Sequence, residues 1–198
     1  MLITEHGVTT MNLMISSDAL RAMHRAKATA ISADILFYAV AGCALGNVLV
    51  ARSARGVCAI LLGDTAEELT ADLARRFPRA SLVSNEAVVK DDLAQVLRYL
   101  ERPAESLHFT LDMRGTSFQR RVWEKLKAIP VGKTVSYMEL ARWVGPLANP
   151  RAVASACAAN PIALAIPCHR VVRNNGELAG YRWGIERKRV LIQKEALA

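Results

Sequence analysis

The 198-residue chain has little glycine and proline, only 18 residues between them, and this excludes collagen-like and low-complexity chains. No internal repeat or low-complexity block is visible. The four cysteines, Cys43, Cys58, Cys157 and Cys168, include no C-x-x-C pair. A disulfide framework is not needed in a chain of this size, and a reducing, cytoplasmic compartment is expected. The first twenty residues lack a basic start followed by an apolar run, so no signal peptide is expected. The one membrane-like run, Ile35 to Ala51, is short for a span and holds Gly42, Gly46 and Asn47. It reads better as two strands meeting at a turn.

What is present is a lopsided charge. Residues 1–100 carry ten basic and ten acidic side chains, whereas residues 101–198 carry sixteen and eight, so the whole net charge of +8 lies in the second half. A neutral half joined to a basic half suits a polyanion partner for one of them.

The expected organisation is an arm over 1–33, with a helix around Ser17–Ala28, an N-terminal α/β domain over 34–110 and a C-terminal domain over 111–198. Strand-like runs Leu36–Cys43, Asn47–Arg52 and Gly56–Leu62 are separated by hairpin turns. Thr65, with Glu68 three residues on, opens a helix to about Phe77, and Glu86–Leu100 places Val88, Leu93, Val96, Leu97 and Leu100 close to one face. A small antiparallel sheet carrying helices is the simplest fold for this half, within an overall α+β class. The second half reads as mostly helical. Ser117 caps Phe118–Ile129, Ser136 caps a helix to about Val144, and Asn149-Pro150 opens another that ends before Asn160-Pro161. The last two form a helix-turn-helix pattern.

The second of these helices, Arg151 to Ala159, has no Asn or Gln to read adenine and one Arg to read guanine. Its nearly bare backbone suits close approach, either to a groove floor or to another helix. The basic flank favours nucleic-acid contact carried by phosphate charge rather than by base readout. Cys168 lies between Pro167 and His169 with Arg170 beyond, neighbours that are expected to lower its pKa and make it a nucleophile; the alternative is a buried structural cysteine. The C-terminal run Arg187–Glu195 reads as an amphipathic helix, with Arg173, Arg187, Lys188 and Arg189 as phosphate or solvent charges. Cys157 reads as a small packing residue.

Five segments, in order, closely resemble the methylated-DNA–protein-cysteine methyltransferases, or O6-alkylguanine-DNA alkyltransferases, and within them the alkyltransferase half of Ada-type proteins. They are Pro130-Val131-Gly132-Lys133-Thr134-Val135-Ser136-Tyr137, Arg151-Ala152-Val153, Asn160-Pro161, Ile166-Pro167-Cys168-His169-Arg170-Val171-Val172 and Gly180-Tyr181-Arg182-Trp183-Gly184. The resemblance extends more weakly upstream and covers about residues 36–196.

The resemblance implies a ribonuclease H-like N-terminal domain and a suicide repair protein. It would transfer a methyl or other alkyl group from O6-methylguanine, with O4-methylthymine a second candidate, irreversibly to Cys168. His169 would act through a bridging water as base and Glu195 would orient it, while Asn160 would tie the turn before the active-site loop. The implied partner is double-stranded DNA carrying O6-alkylguanine, bound in the minor groove without sequence preference by a monomer. Arg151 would fill the gap left by an extruded base, and Tyr137 would lie by the flipped nucleotide. Ala152, Ser155, Arg170 and Trp183 join them as DNA- or substrate-contacting residues.

After Tyr181 some family members carry a serine, whereas Arg182 and Trp183 follow here, and a large Trp at the pocket edge favours methyl over bulky groups. No cofactor or metal is expected, since Cys43 and Cys58 with His6, His24 or His108 lack a close-set ligand pair. The rivals are a damage-flagging relative, which would lack the nucleophile, a cysteine hydrolase, and a transcription factor, which would need a base-reading helix.

Overall fold

The computed structural model describes residues 34–198, so the helix expected around Ser17–Ala28 lies outside the described residues. Strands β1 (Asp34–Cys43), β2 (Gly46–Ser53) and β3 (Gly56–Gly63) form an antiparallel meander through the turns at Ala44-Leu45 and Ala54-Arg55. The membrane-like run is therefore the first hairpin, and among the described residues no helix is long and apolar enough to cross a membrane.

A fourth strand, β4 (Ala80–Ser84), corrects the expectation of a purely antiparallel sheet: it pairs with β1 in parallel and gives the order β3-β2-β1-β4. The reason is topological. Helix α1 (Ala66–Arg76) carries the chain from β3 across to the far side of β1, and a helical crossover returns the next strand in the direction of the one before it. The five-residue strand is short and mostly exposed, so its apolar alternation is weak in the sequence.

Helix α1 starts at Thr65, whose side chain accepts from the Glu68 amide, and α2 (Glu86–Glu101) starts at Asn85 in the same way. Each cap satisfies one of the amides that a helix start leaves unpaired, worth about 1 kcal/mol. Both helices pack on the sheet, burying Leu69 and Leu73 from α1 and Val89, Leu93, Val96, Tyr99 and Leu100 from α2.

Strand β3 is buried along nearly its whole length, and its outer edge is covered by loops rather than by another strand. The Val57 amide donates to Thr110 O and the Asp112 amide to Val57 O; farther along, the Ile60 amide donates to Pro161 O and the Ala163 amide to Ile60 O. These bonds protect an edge that would otherwise template aggregation. They also fasten the segment after Asn160 to the sheet. Gly56 permits the approach at Thr110, because a Cβ there would lie 2.3 Å from Thr110 O.

Helix α3 (Ser117–Lys127) starts one residue earlier than expected, with Thr116 rather than Ser117 as cap. Thr116 and Gln119 form a reciprocal capping box, which Ser117 could not make with its own third neighbour Arg120. Helix α4 (Tyr137–Val144) has the same device in Ser136 and Glu139. Helix α5 (Pro150–Ala158) has Asn149 as cap and Pro150 in its first turn. Helix α3 packs against α4 and α5, and the Trp123 indole donates to Ala156 O at 2.9 Å. Two-residue strands β5 (Val135–Ser136) and β6 (Val171–Val172) pair in parallel, and α6 (Ile185–Ala196) closes the chain.

Candidate active site

Cys168 opens a single 3-10 turn, Cys168–Arg170, directly after the loop fastened to β3. Asn160, fully buried at the end of α5, holds that loop from within. Its Oδ1 accepts from the Ile162 amide at 2.9 Å, and its Nδ2 reaches Ile166 O at 2.8 Å, Ile162 O at 3.3 Å and Cys168 Sγ at 3.3 Å. One amide side chain thus shapes the turn and meets the sulfur.

The side chains of the next two residues meet Glu195, on α6. His169 Nε2 lies 2.7 Å from Glu195 Oε1, and Arg170 binds both carboxylate oxygens, Nε to Oε2 at 2.8 Å and Nη2 to Oε1 at 3.0 Å. Arg170 also donates from Nη1 to Ile129 O. The fourth member of the cluster, Tyr99, comes from α2: its hydroxyl donates to Glu195 Oε1 at 2.7 Å and accepts from Arg170 Nη2 at 2.9 Å. All four side chains are buried.

The electrostatics follow from this geometry. Burial would raise the Glu195 carboxyl, but the hydrogen bonds from His169, Arg170 and Tyr99 outweigh it and hold the group down at about 2. Burial lowers His169 below the ordinary imidazole range, opposed by its hydrogen bond to Glu195 and the carboxylate charge. An ionised carboxylate can only accept, so neutral His169 carries its proton on Nε2. Nδ1, buried and without a hydrogen-bond partner among the described residues, is then the ring nitrogen able to take a proton.

The Cys168 thiol departs from expectation. Burial pushes it up to about 11, against the lowering effects of the Asn160 hydrogen bond and the Lys188 charge. The expected activation by His169 and Arg170 is absent: burial disfavours the imidazolium, Arg170 is paired with the Glu195 carboxylate, and burial of the sulfur dominates. Lys188 is also not the solvent or phosphate charge expected of it. It is fully buried on α6, with Nζ donating to Val171 O at 2.5 Å and Ala179 O at 3.3 Å, and burial lowers its pKa. The helical face of Lys188, Leu191 and Glu195, at i, i+3 and i+7, was the signal available in the sequence. Arg187 is likewise engaged, with Leu45 O at 2.7 Å, Trp183 O at 2.9 Å and Asp64 Oδ1 at 2.5 Å. Arg173 and Arg189 are exposed.

Arg170, expected at the DNA surface, is instead part of the buried cluster, because all its donors face inward. Arg151 and Ser155 are exposed on the outer face of α5, with Ala152 half-buried beside them and Val153, Ala156 and Cys157 turned to the core. Tyr137 is half-buried at the start of α4; burial, with Cys157 and Cys168 nearby, raises its hydroxyl to about 12. Trp183 is buried, packed edge-on against Tyr181 at 5.1 Å between ring centres, and Tyr181 packs edge-on against His169 at 6.4 Å. The Tyr181 hydroxyl and the Trp183 indole nitrogen are buried without hydrogen-bond partners among the described residues. A cavity of about 540 Å³ reaches Tyr99, Pro167 and Arg170, but Cys168, His169, Tyr137 and Trp183 are not among its walls.

The site is a buried thiol followed in the chain by a histidine–carboxylate pair and preceded by a small-residue helix with an exposed arginine. Residues 117–197 match the family model described as 6-O-methylguanine DNA methyltransferase, DNA binding domain. The chain is 49% identical over 159 residues to the bifunctional transcriptional activator/DNA repair enzyme Ada of Escherichia coli, covering 80% of this chain and 45% of that protein. It is 34% identical over 172 residues to the methylated-DNA–protein-cysteine methyltransferase of Candida albicans, covering 82% of this chain and 97% of that one. The O6-methylguanine methyltransferase of Mycobacterium tuberculosis superposes with a TM-score of 0.68 at 31% identity, over 82% of this chain and 93% of that one. The same enzyme in complex with DNA gives 0.65 at 30%, over 81% and 93%. The chain belongs to the methylated-DNA–protein-cysteine methyltransferase family. It spans 45% of the length of the Ada proteins it matches, those of Escherichia coli and Salmonella typhimurium.

Proposed function

We propose that this chain repairs DNA by moving a methyl group from O6-methylguanine to Cys168, once per molecule. The carrying observation is the arrangement around the sulfur: Asn160 Nδ2 on Sγ, and His169 fixed by Glu195 so that its remaining ring nitrogen can take a proton. The thiol gives its proton toward His169 Nδ1, through a water in the proposed relay, and the sulfur attacks the methyl carbon in line. A C–S bond forms, the C–O6 bond breaks, and the electron pair stays on guanine, which takes a proton as it leaves. Tyr137 is the proposed donor to the departing base. The thioether has no simple reversal. A resting thiol held at about 11 stays protonated at neutral pH and is spared from adventitious electrophiles.

The proposed partner is double-stranded DNA, met in the minor groove by α4 and α5 acting as a helix-turn-helix. Arg151, Ala152 and Ser155 face the duplex, and the small outer face of α5 lets its backbone approach. Arg151 occupies the gap when the base is flipped toward Cys168, with Trp183 as a pocket wall that favours methyl over bulky groups. Binding is sequence-independent and carried by phosphate charge. The division at residue 110, a ribonuclease H-like character for the sheet half, a monomeric state and a cytoplasmic location belong to the same proposal.

The test is mass analysis of the Cys168 peptide after incubation with an oligonucleotide containing O6-methylguanine. A gain of one methyl, at one event per molecule, is expected. Repeated turnover, or complete repair with the peptide unchanged, overturns the proposal.

A further inference from the structure

Tyr99 belongs to the sheet half of the chain, yet its hydroxyl ends on the carboxylate oxygen that holds His169. A phenylalanine would fill the same buried place on α2 and carry no polar group to desolvate. The tyrosine hydroxyl is used twice, as donor to Glu195 Oε1 and as acceptor from Arg170 Nη2. Oε1 therefore receives three donors, from Tyr99, His169 and Arg170, while Oε2 receives only Arg170 Nε. Donors on one oxygen compete for its electron density: each added bond stabilises the anion and weakens its pull on the others.

We propose that Tyr99 is a positioning residue of the alkyl-transfer site, contributed by the N-terminal half, that holds the Glu195 carboxylate toward His169 and moderates how strongly it attracts the imidazole proton. The proposal rests on the alkyl-transfer reading above. The groups facing this relay are Tyr99 from α2, Arg170 and Cys168 from the 3-10 turn, Glu195 and Lys188 from α6, and Tyr181 from the loop before α6. Of these, only Tyr99 comes from the sheet half. The hydroxyl also gives Arg170 Nη2 a second acceptor, so its loss disturbs both ends of the carboxylate.

The sign of the effect follows. Without the Tyr99 hydroxyl, Glu195 Oε1 is more basic and holds the His169 proton more strongly, so the imidazolium is favoured and the ring titrates at higher pH. Less neutral His169 is then present on the acid side, and methyl transfer there slows, while the rates converge at higher pH. A stronger donor at the same place acts in the opposite direction.

The experiment uses the full chain with Tyr99→Phe, and separately with 3,5-difluorotyrosine at position 99. The histidine ring nitrogens are labelled and His169 is titrated by NMR, and single-turnover methyl transfer is measured across the same pH range. The expected result is an upward displacement of both the ring titration and the rate profile for Tyr99→Phe, and a downward displacement of both for the fluorinated chain. If both folded variants titrate and react along the wild-type curves, or change only in stability, the proposal is overturned. Should Tyr99→Phe fail to fold, the fluorinated chain decides alone by the same criterion. A wild-type chain that transfers no methyl sinks the alkyl-transfer reading, while the ring titration still judges Tyr99.

Discussion

Glu195→Gln removes one charge from a buried cluster and leaves the Arg170 guanidinium without its carboxylate. Glu195 is 3% exposed and its carboxyl is held at about 2 in the fold, against an ordinary value of 4.5. Through proton linkage that depression contributes about 3 kcal/mol to stability at neutral pH. The sign is that of a lowered acid: the contribution is fully present above pH 4.5 and is lost as pH falls toward 2. Glutamine keeps the shape and part of the hydrogen bonding but cannot titrate. The variant should therefore be less stable than wild type by about 3 kcal/mol at pH 7, a size in keeping with the usual cost of removing one partner of a buried ion pair. That gap should narrow steadily below pH 4.5. The assay is urea unfolding of both proteins at a series of pH values, with only the difference interpreted, so that the other carboxylates cancel. A gap that stays constant with pH refutes the assignment of the stabilising charge to Glu195.

Asn160→Ala leaves two buried carbonyls and one buried amide without their side-chain partner, and should cost about 2–3 kcal/mol, read as a lowered thermal midpoint; an unchanged midpoint contradicts its role in shaping the turn. Free Cys168 should react slowly with iodoacetamide at neutral pH in the absence of DNA, with the rate rising about tenfold per pH unit until close to 11, and fast labelling at pH 7 would show that burial does not govern the thiol. Lys188→Met removes a cation that favours the thiolate and should shift that labelling curve to still higher pH. Arg151→Ala should weaken base extrusion, followed with a fluorescent base analogue, more than binding to unmethylated duplex; equal losses in both contradict its proposed place.

The sequence by itself determined most of the elements whose cause is local, the cap at Thr116 being the exception. Caps at Thr65, Ser136 and Asn149 are legible because a cap is an oxygen within three residues of the amide it serves. The three strands of the meander follow from alternation and turn residues. Cys168, His169 and Asn160 stand in family-like segments of the second half, whereas Glu195 lies outside all five and is named only through the resemblance. Strand β4 was missed because its five residues, mostly exposed, carry little hydrophobic pattern, and its parallel direction comes from the crossover before it.

Only the tertiary structure decided the electrostatics. Cys168 reads as an activated thiol beside His169 and Arg170, yet in the fold both neighbours face Glu195 and burial governs the sulfur. Lys188 and Arg170 read as surface cations and are buried, and Tyr99 reads as a helix residue 96 positions from the carboxylate it meets. Charge and reactivity depend on which groups share a low-dielectric space, and that is set by packing between segments far apart in the chain.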